Sequence, residues 1–374
     1  MQNWAKSLWR CQELLVLDAD KLSAAPSNRQ KVAITDDERN PMSQPVRVAF
    51  VGTGGIAGSH LKQLVKMNDA SAEPLVQIAA VCDVDETRAS AFAESCGATG
   101  IYTDHRTLLD KEADELDALY ICVPPFAHAD VEILATQAGL HLFVEKPVVL
   151  ELDQGLQILE AIRAAGVMSS VGYTLRYRHP WRTARDLLHE RQIAMLSADR
   201  WGGMPGEGHW WRDYNKSGGQ LHEQTTHQVD CMRWVAGDVV TVFARYGHQV
   251  AQSIPSLSVP DSQIVVLEFA SGAVGYVSTS CVLRQGGGLN QMQVLLEDAR
   301  IDVGRELIIQ PEDALAMPAA YDGDDIDGAF IRAVASGDRS HILCDYEEGL
   351  KTAAVSIAAN QSAASGQAVH CWNG

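Results

Sequence analysis

The apolar positions first cluster in short, β-branched runs separated by longer stretches of helical period. Val46-Arg47-Val48-Ala49-Phe50-Val51 and the runs at 76–81, 118–123, 141–144 and 167–173 read as strands. Between them, 57–65, 87–95, 127–137 and 152–165 carry helical spacing. Short strands alternating with helices predict βαβ units and an open, doubly wound parallel sheet. Beyond about residue 240 the punctuation changes. The runs at 239–246, 262–269, 273–280, 291–296 and 306–309 follow one another with only Gly, Asp and Pro turns between them. That spacing predicts antiparallel pairing. Helical stretches at 326–335 and 346–364 close the chain. The pattern thus predicts an α/β domain at 46–168, followed by an α+β domain at 169–374 with a large, mostly antiparallel open sheet.

Residues 1–45 differ from the rest. Ala24-Ala25-Pro26-Ser27-Asn28-Arg29 and Asp36-Asp37-Glu38-Arg39-Asn40-Pro41 are breaker clusters, and the apolar stretch 14–17 is too short for an element with its own core. This segment is expected to be an N-terminal extension, with Met42 as the physiological start or 1–41 as a loosely attached tail. Charge narrows the partners. Thirty Lys and Arg stand against 48 Asp and Glu, a formal net charge of −18. Nucleic acid and anionic membranes favour basic surfaces, so neither is expected as a partner. No apolar run approaches the roughly 18 residues of a membrane span. The eight cysteines are scattered singly, without a C-x-x-C pair, which fits neither a zinc ribbon nor a disulfide scaffold. A cytoplasmic location is expected.

Candidate chemistry begins where the first strand ends. Gly52-Thr53-Gly54-Gly55-Ile56-Ala57 follows that strand and opens the first helix, the context in which G-x-G-x-x-G/A signals a dinucleotide. Gly52 allows the tight turn, Gly54 lets backbone approach a pyrophosphate, and Ala57 lets the helix pack close to the sheet. The free N–H groups of the helix end then offer partial positive charge. Asp83 ends the second strand, where a carboxylate accepts both adenosine ribose hydroxyls and repels a 2′-phosphate. A Rossmann domain that prefers NAD over NADP is expected. Asp85 has a helix N-cap available to it; Arg88 has a solvated face, or a place near the adenine or a 2′-phosphate.

Val123-Pro124-Pro125 lies at the carboxyl edge of the third strand, where such sheets bind ligands. Glu145-Lys146-Pro147 ends the next strand. A lysine there, beside a nicotinamide, would hydrogen-bond a substrate hydroxyl and favour its alkoxide. Farther on, Gly218-Gly219 leads into a helix expected from about 223 to 235. Glu223 and His227, four apart, would share a face of it, the carboxylate orienting the ring and stabilising its imidazolium. His222 and His227 lack H-E-x-x-H spacing, so no metal is expected.

Together these residues resemble the Gfo/Idh/MocA family (glucose–fructose oxidoreductase, inositol dehydrogenase, rhizopine catabolism). The resemblance runs from Gly52–Ala57 through Asp83, Pro124-Pro125, His128 and Glu145-Lys146-Pro147. It continues through Tyr173-Thr174-Leu175-Arg176-Tyr177 to Gly218-Gly219, Glu223, His227 and Asp230, and on to Ser362–Gly366. It implies NAD(P)-dependent oxidation or reduction of a sugar, cyclitol or sugar acid at a CH–OH carbon. It further implies a homodimer or homotetramer formed through the C-terminal sheet. It places Lys146 and His227 as catalytic residues, with Glu223 where Asp is more usual, and adds His128 and Glu145 to the cofactor site. Arg176, Tyr177, Trp210, Arg212 and Tyr214 are the expected substrate contacts. An aromatic platform with charged forks suits a carbohydrate, and the two arginines leave an anionic one open. Two other functions share the motifs: a redox-neutral, NAD-dependent glycosidase and a non-catalytic NAD-binding sensor.

Overall fold

The computed structural model describes residues 44–374 apart from 251–253, 255, 319, 320 and 322. Of the expected N-terminal extension, residues 1–43 lie outside the described residues.

The first sheet is built from β1 (Val46–Val51), β2 (Val76–Cys82), β3 (Gly100–Tyr102), β4 (Ala118–Ile121), β5 (His141–Val144) and β6 (Ser169–Val171). Its order is β3-β2-β1-β4-β5-β6, and its strand pairs are parallel. Helices α1 (Gly55–Asp69), α2 (Glu86–Cys96), α3 (His105–Glu112), α4 (Val131–Gln137) and α5 (Leu152–Ala165) make the crossovers. Local chemistry explains the ends. The Asp85 side chain caps α2 by accepting from the Thr87 and Arg88 amides, and Gly97 closes it at φ 73°. The strand β3 and helix α3 were not legible in the apolar pattern; β3 is short and only half-buried. The chain winds outward from β1 to β3, then returns to lay β4 beside β1. This reversal opens a crevice between the carboxyl ends of β1 and β4.

The second sheet contains β7 (Met195–Gly203), β8 (Val239–Gly247), β9 (Ser262–Phe269), β10 (Val274–Leu283), β11 (Leu289–Leu295), β12 (Arg300–Val303), β13 (Leu307–Gln310) and β14 (Val369–His370). Its order is β13-β12-β11-β7-β10-β9-β8-β14. Pairing is antiparallel except between β7 and β10, which run parallel. Strand β7 sits mid-sheet but was missed in the sequence, where its Asp, Arg and Gly residues break the apolar run. Alternation is clean in β9: Val265, Leu267 and Phe269 are buried, while Ile264 and Val266 point outward.

Helices α6 (Trp181–Leu188), α7 (Tyr214–Ser217), α8 (Gln220–Glu223), α9 (Thr226–Ala236), α10 (Ile326–Ser336) and α11 (Tyr346–Ser365) complete the fold. α9 and α11 cover the buried face of the second sheet. α10 returns to pack on α1 and β1, so the C-terminal chain helps build the core of the first sheet. Among the described residues no helix is long and apolar enough to cross a membrane.

Candidate active site

Gly52 turns the chain out of β1 at φ +90°, and a Cβ there would stand 2.6 Å from the Cys122 carbonyl oxygen. No larger residue fits. At Gly54 and Gly55 a Cβ would meet nothing within 4 Å, so the turn faces open space. Helix α1 starts at Gly55 with Gly54 as its cap, no side-chain cap bond and no acidic residue in its first turn. Its leading amides are therefore free to receive an anion. Ala57 is fully buried against the sheet, and Ile56 is exposed.

Asp83 lies beside this turn. Thr53 donates its amide and its hydroxyl to Asp83 Oδ2, both at 3.0 Å. The Asp85 amide reaches Oδ1 at 2.9 Å and Arg88 Nη2 reaches it at 2.7 Å. Burial opposes the charge, but the bonds from Arg88, Asp85 and Thr53 outweigh it and hold the carboxyl at about 2. Open backbone donors next to an ionised carboxylate suit the diphosphate and ribose of NAD. Arg88 is the exposed partner, its side chain about half accessible to solvent.

On the other wall, Val123 and Pro124 are half-buried and Pro125 is buried. Phe126 is exposed and packs on Trp210, ring centroids 5.9 Å apart. His128 does not line the cleft, contrary to expectation. It is buried and its Nδ1 pairs with Glu132, four residues on, inside the protein's own packing. Glu145 is likewise internal. Its Oε1 meets His60 Nε2 at 3.0 Å and its Oε2 accepts the Lys146 amide at 3.1 Å, so the expected cofactor contact is a wall behind the site.

Lys146 does reach the cleft, and it meets Glu223. Its Nζ donates to the Glu223 backbone oxygen at 2.9 Å and to Oε1 at 3.2 Å. The expected continuous helix is broken here. α8 ends at Glu223 and α9 begins at Thr226, so Glu223 and His227 share no helical face. Gly218 and Gly219 lead in at φ +67° and +89°, which forces the short α8 to start anew. Glu223 therefore holds the lysine and Gln224 rather than orienting the histidine. His227 sits edge-on to the Tyr173 ring, centroids 5.8 Å apart, and its buried Nδ1 has no hydrogen-bond partner. Burial, with the positive charges of Lys146, Arg178 and Arg200, pushes its pKa well below the usual histidine value. That direction favours the neutral imidazole.

The expected substrate contacts divide. Arg176 is 2% exposed and bidentate to Asp230, at 2.9 and 2.7 Å, with the Leu343 carbonyl at 2.6 Å. Tyr177 is also buried, its hydroxyl accepting the Leu343 amide at 2.7 Å. Both belong to the core, and the substrate assignment fails for each. Trp210 and Arg212, by contrast, line a cavity of about 470 Å³ with His209, Asp213 and Lys216. Tyr214 lies behind that cavity, its amide on Ser258 and its hydroxyl pushed to about 12 by burial.

Arg178 and Arg200 were not singled out as site residues in the sequence. Arg200 stands opposite Thr279 and Asn290 in register. Thr279 bonds Thr225 at 2.6 Å and Asn290 bonds Gln228 at 2.6 Å, which places Arg200 beside the start of α9. Among the described residues no ion pair holds Arg178 or Arg200.

Residues 46–173 match the model of an oxidoreductase family with an NAD-binding Rossmann fold, and 181–302 match the Gfo/Idh/MocA C-terminal domain. A myo-inositol 2-dehydrogenase of Thermotoga maritima is 27% identical over 63% of this chain and 68% of its own length. A D-xylose 1-dehydrogenase (NADP(+)) of Haloferax volcanii is 27% identical over 85% of this chain and 98% of its own. The WlbA dehydrogenase of Bordetella pertussis, solved with NADH and UDP-GlcNAcA, shares the fold with a TM-score of 0.75. It has 20% identity over 87% of this chain and 99% of that one. The chain belongs to the Gfo/Idh/MocA family of oxidoreductases and carries that family's NAD-binding Rossmann fold.

Proposed function

We propose that this protein is a dehydrogenase acting on a secondary hydroxyl of a sugar, cyclitol or sugar acid. The observation that carries the reading is the Lys146 side chain, held by Glu223 and close enough to act electrostatically on His227, whose buried Nδ1 has no hydrogen-bond partner. NAD, when bound, supplies the hydride acceptor at its nicotinamide ring. Gly52, Thr53, Gly54, Gly55 and Asp83 would hold it. His227 is a neutral base able to take the hydroxyl proton, and Lys146 is the cation that stabilises the alkoxide as that proton leaves. Glu223 aims Lys146 through its backbone oxygen and its carboxylate. Reduction runs the same proton path backward, with His227 as the acid.

Arg178 and Arg200 favour the sugar acid among these substrates. Two guanidinium groups beside the base, without ion pairs among the described residues, suit a carboxylate. The ligand named with the WlbA structure is likewise an anionic sugar. A redox-neutral glycosidase would release a leaving group without net reduced cofactor. The deciding experiment is a panel of sugars, inositols and sugar acids with NAD and NADP, following reduced cofactor. Accumulation of NADH with a sugar acid supports the reading; release of aglycone alone overturns it, as does normal NAD binding with no turnover of any substrate.

The outer face of the second sheet supports self-association. Ile264, Val266, Val274 and Tyr276 are each at least 39% exposed on adjoining strands, an apolar patch on an otherwise strongly acidic chain. A second copy, placed two-fold on this face, would cover it. Sedimentation of wild type and Val266→Asp would test this: a dimer that the substitution dissociates is expected, and a monomeric wild type refutes it.

A further inference from the structure

His60 lies on the buried face of α1 with Ala57, Leu61 and Leu64, and is 3% exposed. Its Nδ1 is 2.8 Å from Asp327 Oδ1, in the first turn of α10, and its Nε2 is 3.0 Å from Glu145 Oε1. Asp327 and Glu145 are 2% and 5% exposed. Both ring nitrogens face carboxylates, and a neutral imidazole has only one N–H. The geometry fits an imidazolium that donates to both buried acids. Burial works against that charge, but the bonds and charges of Asp327 and Glu145 overcome it and raise the pKa to about 10. Tyr120 and Asp325 are the further titratable groups that act on Asp327. The aromatic rings of Tyr120 and Phe143 enclose His60, at 5.7 and 4.7 Å between centroids. Gly172 leaves the space that the Glu145 carboxylate fills; any Cβ there would collide with it.

A buried ion triad is a poor source of stability, since apolar residues of the same volume commonly do as well. Its placement is what is informative. α1 begins at the dinucleotide turn, and Glu145 accepts the amide of Lys146. We infer that Asp327, His60 and Glu145 form a positioning clamp that fixes the Lys146 peptide relative to α1, and so sets the lysine against bound cofactor. The inference rests on Lys146 being the catalytic cation.

Two measurements test it. The imidazole ¹⁵N signals of His60 in the wild-type protein report its state directly. Protonation of both nitrogens from pH 7 to 9 is expected, and a neutral tautomer at pH 7 overturns the clamp. The second compares Asp327→Asn and Lys146→Met with wild type, counting active sites by NAD binding. Asp327 touches neither cofactor nor substrate. Asp327→Asn should lower kcat about 10- to 100-fold per site, the scale of a small misplacement of a catalytic group. The Kd for NAD should stay within about threefold and the primary deuterium isotope effect should rise, because hydride transfer has slowed. A merely structural lesion would lower the number of sites and leave kcat per site and the isotope effect unchanged, which refutes the clamp. If Lys146→Met keeps wild-type turnover, the catalytic assignment has failed instead, whatever Asp327→Asn does.

Discussion

The Lys146 ammonium bridges the two sheets of this protein by donating to Glu223 twice, at the backbone oxygen and at the carboxylate. The bond joins the carboxyl end of a Rossmann strand to a four-residue helix that packs on the second sheet. Glu223→Gln keeps the shape and removes the charge. Turnover per folded site should fall about 10- to 100-fold, with some loss of Tm, because the side chains are only 14% and 10% exposed and removing the charge of one partner in a largely buried pair destabilises. Kinetics paired with thermal melts would check this. A Tm drop with unchanged kcat per site would make the bond a structural one.

His227→Ala should cost about 10²–10⁴ in turnover if the ring is the base. Its depressed pKa also sets the pH profile. The ring is already neutral above the ordinary histidine value, so kcat/KM should show no histidine inflection between pH 6 and 8. Stability carries the matching sign. Burial holds His222 at about 4, and His227 is low as well, so the folded state binds fewer protons than the unfolded chain below about pH 6.5. Both residues make the fold weaker as pH falls from 6.5 toward 4. A wild-type inflection near pH 6.5 that disappears in His227→Ala would contradict the neutral assignment.

Asp83 is the carboxylate proposed to meet the cofactor's ribose. Asp83→Ala should weaken NAD binding about 10- to 100-fold, the scale of losing charge-assisted bonds. Arg88 competes for the carboxylate oxygens that a ribose would use, and its half-exposed side chain can swing outward. Arg88→Ala should therefore weaken NADP far more than NAD. Titration of both cofactors into each variant would show it; equal losses for NAD and NADP in Arg88→Ala would mean the arginine takes no part in selection.

The Arg176–Asp230 pair gives a stability test. Arg176→Met leaves a fully buried carboxylate without its guanidinium, a loss of about 3–5 kcal/mol. Denaturant melts should show this, and the surviving folded enzyme should keep its substrate KM. A raised KM without loss of stability would return Arg176 to the substrate site.

Most of the cofactor half was legible because its determinants are local. Gly52 to Ala57 form a turn with spacing that is itself the signal, and Asp83 follows at the end of the next strand. Lys146 was legible from its place after a strand. The misassignments share one cause: residue type announces chemistry, but partners distant in sequence decide burial. Arg176 looks like a ligand fork until Asp230, 54 residues on, claims it. His60 gave no signal, since its carboxylates lie 85 and 267 residues away. The break between Glu223 and Thr226 escaped notice because the apolar spacing runs through it, while the positive-φ glycines and the Lys146 contact set the geometry. Strand β7, with Arg200, was hidden by its polar middle.

Transfer of deuterium from substrate to cofactor tests the proposed chemistry most directly. The wild-type protein would be given NAD and a sugar acid deuterated at each carbinol carbon, and the reduced cofactor weighed by mass spectrometry. Deuterated NADH in step with ketone product is expected, with the rate in Lys146→Met lower by about 10²-fold or more. Product formed without deuterated NADH, or at full rate in Lys146→Met, would contradict it.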